Sequence, residues 1–304
     1  MYLRNINYLC SDREFSESEL IEANNLTGRD KNQIWDKGFH KVASWDTVEP
    51  KEFLRSSLNE MVSELTDDEQ YAVFTFESSS RMKVPDYHGL CGSLLASAAK
   101  KPCMAVNLDM ACHGPTTIIA SIAEAIKSGF YDVGYVVVLS DVHREAKRPS
   151  IFEINRMDGA MIIEIAKSGK YKIRDLYSYT DSSHLDLFNP HLSQFEKLKV
   201  TSRFLKDEGQ VLRKLIEEAK RKYDGNRLAG VSLPIITKAN QSMIENLCAV
   251  THIKPSGYPL GTFACGDTFL PLIGENNQSI SQKFKYLCSL GAAFTWNLLV
   301  LEKI

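Results

Sequence analysis

The sequence has no CxxC pair, although it holds seven cysteines: Cys10, Cys91, Cys103, Cys112, Cys248, Cys265 and Cys288. An odd, scattered set argues against a disulfide framework or a zinc site and points to a reducing, cytoplasmic setting. Neither sign of charge is in marked excess. Lys and Arg total 36 against 38 Asp and Glu, a net charge of −2, so there is no basic field to attract nucleic acid. No stretch approaches the run of about 20 apolar residues that crosses a bilayer, which leaves no membrane partner to expect. The opening MYLRNINYLCSDREFSESE turns polar and acidic too early for a secretory signal. Nor does any low-complexity linker divide the chain. What remains is ordinary for a globular protein: 304 residues, 44% hydrophobic and 24% charged, enough for a sizeable core.

The apolar runs have strand length. AVFTFES (72–78), MAVNLD (104–109) and YVVVLSD (135–141) are continuous rather than alternating, which predicts a sheet buried on both faces. Between the last two, Ile118, Ile119, Ile122, Ala125 and Ile126 recur at helical spacing, and Ser128-Gly129 supplies a stop. Strand, helix, strand makes a βαβ unit. DGAMIIEIA (158–166) reads as a further strand. Beyond it come YKIRDLYSY (171–179), a polar Lys- and Glu-rich helix around 207–222, the strand LAGVSLPII (228–236), and two closing apolar runs separated by Gly291-Ala292-Ala293. That closing pair resembles YVVVLSD…DGAMIIEIA. The expectation is an α/β architecture of two similar halves, 1–167 and 168–304, around one core.

In VNLDMACHGPTT (106–117), Cys112 falls between a predicted strand and a helix whose first turn holds Gly114 and Pro115. Proline suits a first turn, where its missing N–H removes no bond. A thiol there feels the positive end of the helix dipole and nearby unbonded N–H groups, both of which favour thiolate. The same N–H groups can hold the oxyanion formed when sulfur attacks a carbonyl. Cys112 is therefore a candidate acyl-accepting nucleophile; the alternative is a small buried residue, which is the reading for the other six cysteines.

Three separated segments resemble the β-ketoacyl-acyl-carrier-protein synthase III enzymes of the thiolase superfamily. NLDMACHGPTTIIASIAEAIKSGFYDVGYVVVLSDV is similar to that family's nucleophile segment, MDGAMIIEI to its DGAGA strand, and LGAAFTWNLLVLEKI to its closing GGGFTWG motif. The resemblance implies the five-layered αβαβα thiolase fold of two duplicated halves and a homodimer. It also implies no bound cofactor: acyl groups arrive as thioesters of coenzyme A or of a carrier protein's phosphopantetheine. Cys112 takes the nucleophile's place, and Ala292 that of a glycine whose backbone N–H stabilises the oxyanion.

Two positions depart from the family pattern. The family's PHQAN motif aligns with ITKAN (236–240) in LPIITKANQSMI, which puts Thr237 at the catalytic histidine and keeps Asn240. Its GNT motif becomes Gly266-Asp267-Thr268, which puts Asp267 at the asparagine. Histidine and asparagine would donate to an enolate; Thr237 can still donate through its hydroxyl, whereas an ionised Asp267 only accepts and repels that charge. Decarboxylative condensation is disfavoured. Asp267 can act instead as a general base for an alcohol or amine attacking an acyl-cysteine, or serve as turn and N-cap composition. Thr237 reads either as the donor or as a packed strand end. His113, beside the nucleophile, and His88, in DYHGLCG, are candidates for lining the pocket, as is Trp35 in NQIWDKGFHK. The RTG pattern of the family's coenzyme A contacts is absent, which favours a carrier-protein donor, and the basic REAKR (144–148) could meet an acidic carrier. Two functions follow as expectations: an acyltransferase working through Cys112, or a catalytically degenerate subunit in a heterodimer with a homologous ketosynthase.

Overall fold

The structure, a computed structural model, describes residues 1–11, 13–23, 41–44, 46–47, 49–79, 104–108, 114–141, 158–181, 210–223, 266–273, 283–291 and 295–304. Ten strands are described: β1 (Tyr2–Cys10), β2 (Arg13–Ser16), β3 (Lys41–Ser44), β4 (Tyr71–Ser79), β5 (Met104–Leu108), β6 (Val133–Asp141), β7 (Gly159–Ala166), β8 (Tyr171–Thr180), β9 (Phe284–Gly291) and β10 (Thr295–Lys303). The helices are α1 (Glu17–Ala23), α2 (Pro50–Ser63), α3 (Gly114–Lys127), α4 (210–223) and α5 (Leu270–Ile273), the last preceded by a 3₁₀ turn at Gly266–Phe269.

Eight strands join in the order β5-β4-β6-β7-β1-β8-β10-β9, while β2 and β3 form a separate ribbon. β5, β4 and β6 run parallel; β7 is antiparallel to β6 and to β1. β1 and β8 share only two residue pairs, Tyr2↔Lys172 and Leu3↔Tyr171, so the assembly divides there into a five-stranded and a three-stranded sheet. The order β6-β7-β1 on one side is mirrored by β9-β10-β8 on the other, every pairing antiparallel. This is the duplication suggested by the similarity of the two closing strand pairs.

The alternation of side chains along the strands builds the layers. On one face of the first sheet, Val73, Tyr135, Val137 and Ile162 pack against Leu54, Leu58, Met61 and Val62 of α2. The opposite face, with Phe74, Val136, Val138, Met161 and Ile163, meets Ile119, Ile122 and Ile126 of α3 in a core that continues to Leu287, Leu299 and Leu301 of the second sheet. α3 touches β4, β6 and β7 on one side and β8 and β10 on the other. The far face of the second sheet carries α4, whose Leu212, Leu215, Ile216 and Ala219 are buried. There Lys222 Nζ lies 2.6 Å from Asp175 of β8 and the Tyr223 ring lies 5.2 Å from that of Phe284. Helix, sheet, helix, sheet, helix is the five-layered αβαβα arrangement.

Local chemistry fixes the C-terminal end of α3. It closes in a Schellman motif: Phe130 N–H donates to Ala125 and Gly129 N–H to Ile126, with Gly129 at φ +76°, as Ser128-Gly129 predicts. One expectation is corrected. The run predicted at 104–109 is described over 104–108 and is not buried on both faces; β5 is the sheet's outermost described strand, and Met104, Ala105 and Asn107 are exposed. A sequence run shows apolarity but not whether a strand has one neighbour or two. Cys288 is buried as expected, whereas Cys10 is only half-buried. The strand predicted at 228–236 lies outside the described residues.

Candidate active site

The segment expected to hold the nucleophile lies between two described elements. β5 ends at Leu108 and α3 starts at Gly114; Cys112 and His113 themselves lie outside the described residues. Gly114, Pro115 and Thr116 are all buried, so the described start of α3 is inside the molecule, where solvent screens charges little. No acidic residue occupies the first turn, and Lys127 occupies the last. Pro115 has no N–H to offer.

The first turn is tied to the second sheet by a buried polar cluster. Asn297 Nδ2 of β10 donates to Thr116 Oγ1 at 3.2 Å and to Thr117 Oγ1 at 2.8 Å. Thr116 Oγ1 also lies 2.6 Å from Ser289 Oγ of β9, and either hydroxyl can donate. Ser289 and Asn297 face each other across the β9–β10 ladder, and Asn297, Thr116 and Ser289 are almost wholly buried. The sequence reading missed these four residues. The signal was present: Asn297 interrupts the apolar run FTWNLLVL at the place where GGGFTWG ends in glycine, and a buried amide requires partners.

The Asp267 backbone belongs to the 3₁₀ turn Gly266–Phe269, in keeping with the turn composition of Gly-Asp-Thr. This turn touches β9, and it leads into α5, whose Leu270 and Leu272 join Phe269 in the core shared with Ile119 and Ile122. β9 is therefore the common neighbour of two candidate segments. Ser289 bonds the start of α3, two residues after Cys112 in the chain; the turn bearing Asp267 packs on the same strand; and β9 ends at Gly291, directly ahead of Ala292. Ala292, Thr237, Asn240, His88 and Trp35 lie outside the described residues, as do His113 and the basic run 144–148.

Ionisable groups near this core have clear environments. Burial alone pushes the Cys288 thiol well above its ordinary range, which makes it an inert packing residue. On the far side of the second sheet, burial raises the Asp175 carboxyl. The hydrogen bonds and charge of Lys222, with bonds from Tyr223 and the Leu176 N–H, outweigh that and hold it below the usual carboxylate range.

Strand order and layering can be set against solved structures. FabH of Pseudomonas aeruginosa PAO1, a 3-oxoacyl-(acyl carrier protein) synthase III, superposes with a TM-score of 0.72 over 99% of this chain and 98% of its own, at 13% identity. The fold is that of the synthase III enzymes. The synthase III of Aquifex aeolicus VF5 matches over 99% of both chains at 15% identity and a TM-score of 0.66. A substituted OleA of Xanthomonas campestris with cerulenin bound matches at 13% identity and 0.73, over 99% of this chain and 96% of that one. At such identities the likeness to synthase III enzymes is one of fold. No protein-family model and no curated protein sequence matches the chain. Among the described residues, no helix is long and apolar enough to cross a membrane.

Proposed function

We propose that the protein is an acyltransferase of the synthase III type, with Cys112 as the acyl-accepting residue. In the first half-reaction the Cys112 thiolate attacks the carbonyl of an acyl thioester. The new C–S bond forms, the bond to the donor sulfur breaks, and the donor thiolate leaves and takes up a proton. Backbone N–H groups at the start of α3 and of Ala292 stabilise the oxyanion. In the second half-reaction an alcohol or amine attacks the acyl-cysteine, its proton passes to the Asp267 carboxylate, and the Cys112 thiolate is regenerated. Thr237 assists as a hydroxyl donor, while His113, Asn240, His88 and Trp35 line the substrate path. The donor is a carrier-protein phosphopantetheine thioester or acyl-coenzyme A, a substrate rather than a resident cofactor.

The single observation that carries this reading is the convergence on β9 of the buried first turn of α3 and the turn bearing Asp267. The substitution at Thr237 favours a second reading, a degenerate subunit shaping the pocket of a homologous ketosynthase. In either case a second chain, identical or homologous, meets the exposed outer edge of β5 at Met104, Ala105 and Asn107.

Stopped-flow detection of released thiol tests the first half-reaction. Mixing with an acyl thioester should give a burst close to one thiol per active site, and Cys112→Ala should abolish it. Adding hydroxyl or amine acceptors should then support turnover that Asp267→Asn reduces by about 10²-fold or more, the scale of general-base catalysis. Absence of a burst, together with copurification of a complete homologue, would favour the partner-subunit reading.

A further inference from the structure

We propose that Asn297 is a positioning residue for the nucleophile elbow: its carboxamide clamps the hydroxyls of Thr116 and Thr117 and, with Ser289, fixes the first turn of α3 against the second sheet. The inference rests on the reading of Cys112 as nucleophile and adds the device that holds it. Both N–H groups of one planar amide are used on consecutive residues, at 3.2 and 2.8 Å. Consecutive helical residues point about 100° apart, so a rigid group bridging two of them fixes the turn's rotation about the helix axis as well as its distance from the sheet. Ser289, opposite Asn297 in the ladder, adds a contact from the neighbouring strand at 2.6 Å.

This cluster stands where an apolar core would hold the helix equally well. Three turns of α3 are seated by Ile119, Ile122 and Ile126, so the helix has ample apolar anchorage without its polar start. A buried polar network with its members held from two sides specifies one arrangement of the turn, and the segment immediately ahead of that turn carries Cys112.

The test is the rate of alkylation of Cys112 by iodoacetamide across pH, followed by peptide mass mapping, with circular dichroism to establish folding. In the native protein the rate midpoint should lie below that of the same cysteine in the urea-unfolded chain. Asn297→Ala should fold, move the midpoint upward and slow alkylation near neutral pH about fivefold, the equivalent of one neutral hydrogen bond. Thr117→Val should do the same, and Thr117→Ser, which keeps the hydroxyl, should restore the native profile. If Asn297→Ala does not fold, the Thr117 pair decides alone. Folded variants with the native midpoint and rate would overturn the positioning role and leave the nucleophile reading intact. A native midpoint equal to that of the unfolded chain would overturn the nucleophile reading and this inference with it.

Discussion

Glu164 shows what individual side chains must do inside this fold. It is fully buried on β7 and pairs with Arg4, accepts from Asn5 Nδ2 at 2.7 Å and from Tyr135 Oη at 3.4 Å. A buried carboxylate persists only with such partners. Burial, and next the Glu164 charge, raise the Tyr135 phenol above its ordinary range. An unfolded chain ionises its tyrosines near pH 10, so the stability conferred by a neutral Tyr135 is complete below that pH and is lost as pH rises beyond it. Thermal unfolding from pH 8 to 11.5 should therefore show a steep alkaline fall in Tm. Tyr135→Phe should make that fall shallower, at a neutral-pH cost of about 1 kcal/mol for the lost bond; an unchanged alkaline slope would contradict the assignment. None of this was legible in the alternation of β7, because Glu164 reads there as one polar residue in an apolar run and its partners come from β1 and β6.

At the scale of elements, α3 was the most legible part of the chain. Isoleucine spacing gave its buried stripe, and Ser128-Gly129 its end, because both signals are local. The edge position of β5 was not legible, since neighbours in a sheet are set by the whole topology. The seating of α3 on β6 depends on Gly134, where an added Cβ would come within 2.3 Å of Ile122 Cγ2. Gly134→Ala should therefore destabilise the protein by about 1–3 kcal/mol, the usual cost of overpacking, as read from urea unfolding. In an Ile122→Ala background the same change should cost much less, because the cavity accepts the methyl group. Equal costs in both backgrounds would show that the contact does not govern the packing of α3.

For the whole molecule, the sequence carried the duplication and the order of the segments, and the mirrored strand order gives that repeat its form. The candidate site was legible only in part. Cys112 was marked by its place between a predicted strand and helix and Asp267 by a departure from GNT, but the residues that hold the first turn of α3 to the second sheet, Ser289 and Asn297, sit on β9 and β10 more than 170 positions from the Thr116 they contact. Such partners emerge only when the second sheet closes over the central helix. If the protein is an acyltransferase of the synthase III type, Cys112 carries the acyl group. The decisive measurement is intact-protein mass after incubation with a panel of acyl thioesters. A single added acyl mass is expected on the native protein, removed by hydroxylamine and lacking in Cys112→Ala; no adduct from any donor, or an adduct that persists in Cys112→Ala, would rule that role out.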